Sequence, residues 1–231
     1  MRILHISDIH SDNQRWEWLF AQARKRVADL YIVSGDFIDG SLYVPIAQQI
    51  ATQREFLGAF GALPGRPKLV VCSGNHDERV PQDIGRGSSF ETWLSKFSAP
   101  GLTRDGQILK FMGYTVESVG YGSLPMISGP RAIVVTHVPP DGCEVAIQRS
   151  ANVSFGDEHL REQLLDADLF EVGYVFSGHV HRPRCWHARV GSAVCFNPGQ
   201  GDTIPNHILV DLTVGRATWN GTKGAKEQIV L

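Results

Sequence analysis

Seven residues, Asp8, His10, Asp36, Asn75, His137, His179 and His181, supply two carboxylates, four imidazoles and one amide oxygen. These oxygen and nitrogen donors suit divalent ions, and no thiolate is among them. They fall in five short motifs, each directly after an apolar, strand-like run. The motifs are Asp8-Ile9-His10, Gly35-Asp36-Phe37-Ile38-Asp39, Gly74-Asn75-His76-Asp77, the lone His137, and Gly178-His179-Val180-His181. Two divalent ions held side by side generate hydroxide and polarise a phosphoryl group, so the donor set points to hydrolysis at phosphorus.

Each motif has its own reason. Asp8 and His10, one residue apart past a strand end, are placed to reach one metal. Asp36 follows Gly35, which permits close backbone approach. Its two carboxylate oxygens can each face a different cation, so Asp36 is the bridging ligand. Asp39 is read as structural, and Asp12 as the N-cap of the following helix. Asn75 offers a hard amide oxygen. His76 is the proton donor to a leaving oxygen, and Asp77 beside it is expected to fix its tautomer. His137 is a ligand by its place in the series. His179 and His181, two apart in an extended backbone, point the same way, one imidazole per ion.

These motifs need elements to bring them together. The first half alternates strands and helices: Arg2–Ile6, helix Asn13–Val27, Leu30–Ser34, helix Pro45–Phe60, Lys68–Cys72 and a shorter helix Ser88–Phe97. The rest is richer in strands: a hairpin over Ile108–Tyr121 turning near Gly113, then Ala132–Thr136, helix Asp157–Leu165, Gly173–Ser177, Ala193–Asn197, His207–Leu212 and Arg216–Trp219. The pattern predicts an α/β fold with two packed sheets and helices outside. Ligands bind beyond the carboxyl ends of strands in such sheets, so the five tips are expected to converge. No repeat, low-complexity tract or linker divides residues 1–231, which are read as one domain.

Composition bounds the function. The 231 residues are 42% hydrophobic and 20% charged, with formal net charge −2. No Lys/Arg run supplies a strong nucleic-acid signal. Cys72, Cys143, Cys185 and Cys195 form no C-x-x-C pair and are expected reduced, as in a cytoplasmic protein. No signal peptide or membrane-length apolar stretch is read.

Taken in order, D-x-H, G-D-x-x-D, G-N-H-D, H and G-H-x-H, the motifs resemble the calcineurin-like metallophosphoesterase superfamily over Asp8 to His181. The resemblance implies a four-layer α/β/β/α sandwich of two mixed β-sheets flanked by helices. It also implies one metal on Asp8, His10, Asp36 and His181, and a second on Asp36, Asn75, His137 and His179. His76 would be the histidine near the scissile bond that binds no metal. Gly40 stands where protein phosphatases of this superfamily carry Arg, and Asp77 where they carry Glu, which argues against that activity. Asn197-Pro198-Gly199 resembles a turn in small bacterial members and is read as a plain turn.

The expected activity is dinuclear hydrolysis of a small nucleotide-like phosphodiester by a metal-bridging hydroxide, with His76 as acid. Two cations (+4), Asp8 and Asp36 (−2) and hydroxide (−1) leave the site near +1, which attracts an anionic ester. Mn²⁺ or Fe is the preferred metal from the family, with Zn²⁺, Ni²⁺ and Co²⁺ as alternatives. A broad phosphomonoesterase is the second reading and a non-catalytic scaffold the third. Arg79 and Arg182, near the motifs, are read as surface charges. Substrate choice is assigned to the loops Glu78–Gly87, Gly122–Pro130 and Pro139–Phe155, and the oligomeric state is left open.

Overall fold

A computed structural model describes residues 1–40, 43–78, 92–166, 170–202 and 204–231. The first half contains β1 (Arg2–Ile6), α1 (Asn13–Arg24), β2 (Leu30–Ser34), α2 (Ile46–Gly61), β3 (Lys68–Cys72) and β4 (Leu102–Thr103). Then come β5 (Ile108–Phe111), β6 (Tyr114–Ser118), β7 (Gly129–Val135), β8 (Ile147–Gln148), β9 (Val153–Ser154) and α3 (Glu158–Leu165). The chain ends with β10 (Val172–Phe176), β11 (His187–Val190), β12 (Ala193–Phe196), β13 (His207–Asp211), β14 (Arg216–Asn220) and β15 (Lys226–Val230).

Two mixed sheets result. One has the order β15-β14-β13-β1-β2-β3-β4, the other β11-β12-β10-β7-β6-β5. In the first, β1, β2, β3 and β4 are parallel, and β13 to β15 add an antiparallel flank. In the second, β6, β7, β10 and β12 are parallel, with antiparallel edges β5 and β11.

Strand alternation sorts the apolar residues into three layers of core. Ile3, Ile32, Val70 and Cys72 of one sheet meet Ile133, Val135, Phe176 and Phe196 of the other. On the outer face of the first sheet, Leu4, Tyr31, Val33 and Val71 pack under α1 and α2. On the outer face of the second, Val134, Val175 and Cys195 pack under α3 through Leu160 and Leu164. The fold is therefore the expected helix–sheet–sheet–helix sandwich.

Local chemistry sets the boundaries. Asp12 caps α1 by accepting from Gln14 N at 2.9 Å, and Asp157 caps α3 by accepting from Leu160 N at 3.0 Å. Helix α1 stops at Arg24, earlier than its apolar spacing suggests, because Arg26 turns left-handed at φ 53°. Trp16 anchors α1, stacking on Phe37 and Phe56 while its indole N–H donates to Gln53 Oε1 at 2.7 Å. The hairpin of β5 and β6 turns on Met112 and Gly113, both at positive φ, as a two-residue turn requires. Of the expected helix Ser88–Phe97, residues 88–91 lie outside the described residues, and Trp93–Lys96 form a single 3-10 turn. The cysteines are unpaired, and Cys72, Cys143 and Cys195 are buried. Among the described residues no helix is long and apolar enough to cross a membrane.

His5, in β1, is wholly buried against Phe176, with Nε2 2.8 Å from Ser34 Oγ. Burial lowers its pKa to about 3, against a smaller opposing pull from Asp8. The unfolded chain therefore takes up this proton more readily than the folded one. The penalty is absent above pH 6.5 and grows as pH falls toward 3, reaching ~3 kcal/mol near pH 4. His5→Gln keeps a partner for Ser34 and removes the titration. Urea unfolding of the two proteins between pH 7 and pH 4 is expected to show the wild type losing stability relative to the variant as acid is added.

Candidate metal centre

All five motifs leave the carboxyl ends of parallel strands: β1 and β2 before Asp8 and Asp36, β3 before Asn75, β7 before His137 and β10 before His179. The loops are stitched together by backbone hydrogen bonds. Asp8 N donates to Gly35 O, His10 N to Asp36 O, Ser11 N to Phe37 O, and Gly178 N to His137 O.

The seven donor residues meet in one pocket. Asp36 Oδ2 lies 3.3 Å from His137 Nε2, 3.6 Å from His10 Nε2 and 3.9 Å from His76 Nε2. Asp8 Oδ1 lies 3.5 Å from His181 Nε2 and 3.9 Å from His10 Nε2. Asn75 Oδ1 lies 3.1 Å from His137 Nε2 and 3.0 Å from His179 Nδ1. His10 and His181 bring their Nε2 atoms within 3.1 Å of each other. Donors about 2.0–2.2 Å from a common cation stand about 3 Å apart, so these separations are those of ligands sharing an ion.

Two overlapping groups follow. Asp8, His10, Asp36 and His181 hold ligand atoms within 4.8 Å of one another. Asp36 also reaches His137, which with Asn75 and His179 makes the second group. His137 Nδ1 lies 2.9 Å from the Ser34 carbonyl, a contact that takes the ring proton and leaves Nε2 to face the pocket. Asp8 Oδ2 is buried without a hydrogen-bond partner, as an atom reserved for a cation would be. The residues thus fit a pair of divalent metal ions.

Electrostatics agrees. Burial pushes the Asp8 carboxyl up, yet His181, His137 and His10 outweigh it and hold the group well below the carboxylate range. Burial likewise opposes ionisation of Asp36, and His137 overcomes it. Burial drives His137 down, but Asp36 and Asp8 lift it to about 9. The pocket favours positive charge beside Asp36.

The backbone is bent to make this possible. Asp8 (φ 56°), His10 (47°), Ser11 (57°), Asp36 (50°) and His179 (68°) are all left-handed without being glycine. Such conformations cost of order 1 kcal/mol or more each and gather at functional sites. His179 and His181 are therefore joined by a left-handed bend, not the expected extended segment. Both still face the pocket, His179 through Nδ1 and His181 through Nε2.

Asp77 corrects the reading of its motif. Its carboxylate is wholly buried and accepts from Phe37 N, Ile38 N, Gly74 N and Trp93 Nε1. None of these donors is the His76 ring, whose Nδ1 is buried without a hydrogen-bond partner among the described residues. Burial and the Asp36 charge push the Asp77 pKa up to about 7 against these donors. Asp77 ties the second and third motifs together, and its contacts give it no part in orienting His76. His76 keeps a partly exposed ring edge-on to His10, at 5.0 Å between centroids, and its backbone N–H donates to Asp36 Oδ1 at 2.9 Å.

Two further residues position the loops. Asn197 is buried, and its amide nitrogen donates to Gly178 O (2.8 Å), Val180 O (3.2 Å) and Val145 O (3.1 Å). Its Oδ1 accepts from Gly199 N, so the plain turn expected there is a brace for His179 and His181. Arg15 is buried under the first motif, donating to the Asp8 carbonyl and, at 2.8 Å, to Gly201 O. Its signal in the sequence is helical spacing: Arg15, Leu19 and Ala23 lie on one face. Asp39 is held through its N–H by Gln49 Oε1 at 2.7 Å. Arg182 is exposed, as expected, and Arg79 lies outside the described residues.

Over residues 1–183 the chain matches the calcineurin-like phosphoesterase family, and it belongs to that family. Its class is metal-dependent phosphoesterase. Solved structures share the fold. TT1561 of Thermus thermophilus aligns with TM-score 0.54 at 14% identity, over 99% of this chain and 98% of that one. GAP50, the anchor in the inner membrane complex of Plasmodium, aligns with TM-score 0.53 at 11% identity, over 100% and 89%. A curated protein, glycoprotein GX of bovine herpesvirus 1.2 (strain ST), is 30% identical over 104 residues, 45% of this chain. The chain spans 22% of that glycoprotein's length.

Elemental analysis after loading with Mn²⁺ is expected to give two ions per chain, none tightly held by Asp36→Ala, and one by His181→Ala. Asn197→Ala leaves the buried Val145 and Val180 carbonyls without a donor and is expected to cost about 2–3 kcal/mol of stability. It should also weaken metal binding at the His179 loop, measured by metal titration.

Proposed function

We propose that the chain is a dinuclear phosphodiesterase acting on a small, nucleotide-like ester, with His76 as the proton donor. The observation that supports this reading is Asp36 Oδ2, which lies within 4 Å of one imidazole nitrogen from each of His10, His76 and His137. Mn²⁺ or Fe is the favoured metal pair, held by Asp8, His10, Asp36 and His181 on one side and by Asp36, Asn75, His137 and His179 on the other. Such ions supply a water-derived nucleophile at neutral pH and polarise the phosphoryl oxygens.

The residues themselves supply the rest. Asp8 and Asp36 set the charge of the pocket and fix its geometry. His76 stands at the rim, 27% exposed, where a leaving oxygen can reach its ring. Among the described residues, the charges acting most strongly on Asp8 are imidazoles, and those on Asp36 are His137 and Asp8. Among the described residues none of these charges is the guanidinium fork that a dianionic monoester favours, whereas a monoanionic diester needs less compensation. This supports diester over monoester cleavage.

With Mn²⁺, bis-p-nitrophenyl phosphate is expected to be hydrolysed faster than p-nitrophenyl phosphate. The reverse order would favour a monoesterase. His76→Ala is expected to lower kcat by roughly 10²–10⁴-fold on an alkyl or nucleoside diester at unchanged metal content. The loss should be smaller on the nitrophenyl ester, whose leaving group departs without a proton. Equal losses on both would remove the acid role.

A further inference from the structure

At the opposite, amino-terminal ends of β1, β2 and β3 lies a cleft of about 420 Å³. Four cations line it: Arg2, Arg26, Arg66 and Lys68. The single acid there, Asp29, is engaged by Arg2 N at 2.7 Å. Among the described residues no carboxylate forms an ion pair with any of the four side chains. Four positive charges less one negative leave a local +3 in a chain of net charge −2. The volume lies within the ~300–1,000 Å³ range of small-molecule sites.

The cleft is also built. Arg26 (φ 53°) and Arg66 (φ 46°) both sit on left-handed backbone, a conformation that opposes any side chain larger than hydrogen. Gly65 lies beside the Arg26 guanidinium, where an added Cβ would stand 3.1 Å from it. Phe111 and Pro67 add an apolar wall to the charged rim. A flat ring against that wall with phosphates among the arginines would match both surfaces.

We infer that this cleft is a second binding site, for an organic polyanion of the nucleoside polyphosphate class. Five-residue strands separate it from the metal centre by roughly 15 Å, at about 3.3 Å per residue, so its ligand does not touch the metal ligands. The same three strands that begin at the cleft lead into the loops that carry Asp8, Asp36 and Asn75. The inference stands whether or not the diester reading holds.

The test is calorimetric titration of the full chain with ATP in excess chelator, so that the metal centre does not compete for phosphate. One ATP per chain is expected, with affinity falling as salt rises and no binding of adenosine. The double variant R26N/R66N uses a residue that tolerates left-handed backbone. It is expected to bind ATP at least tenfold more weakly, with metal content and diesterase activity unchanged. Amide NMR shifts of the wild type on adding ATP are expected at Gly65, Arg66 and Lys68 and not at Asn75–Asp77. Absence of binding at millimolar ATP, equal affinity in the variant, or shifts confined to Asn75–Asp77 would each overturn the site.

Discussion

Crowding of like donors around Asp36 is the constraint on which the other features of the site depend. One oxygen of this buried carboxylate stands within 4 Å of nitrogens from His10, His76 and His137, each on a different loop. Two neighbouring buried anions repel, and bare imidazole lone pairs repel one another. Such an arrangement is stable only with positive charge in its midst. Divalent cations meet that need and link binding of the ions to folding of the loops.

The protein holds this arrangement with polar hubs placed around it. Asp77 gathers N–H groups from three segments, Asn197 gathers carbonyls around the histidine pair, and Arg15 pins the first loop to Gly201. Each hub is buried, so breaking one strands several polar groups at once. The sheets beneath provide rigid platforms through continuous apolar strands, while the left-handed turns at their tips carry the strain. The division explains why the chemistry sits on loops and the loops do not wander.

The gathering of the seven donor residues in one pocket was legible in the sequence because each motif follows an apolar run that reads as a buried strand. The central strands were legible for the same reason. Residues whose partners lie elsewhere in the chain were not. Asp77 looked like a partner for His76 because they are adjacent, yet its contacts include Phe37 and Trp93, at separations of 40 and 16 residues. Asn197 looked like a turn residue because nothing nearby revealed Gly178 and Val180 above it. Edge strands β11 and β15 escaped notice since their half-exposed residues carry no apolar pattern. The left-handed bend at His179 leaves no mark in residue type.

Three glycines show how the loops are interlocked. A Cβ on Gly35 would strike the ring of His137, one on Gly74 would strike the Asp36 carboxylate, and one on Gly178 would press on Asp8 Oδ2. In every case the glycine of one segment leaves space for the ligand of another. A loop transplanted alone from this protein into a different scaffold would arrive without its counterpart's clearance. The segments can be exchanged only as a set, which makes the metal pocket a single unit for engineering although its parts, from Asp8 to His181, are drawn from most of the chain.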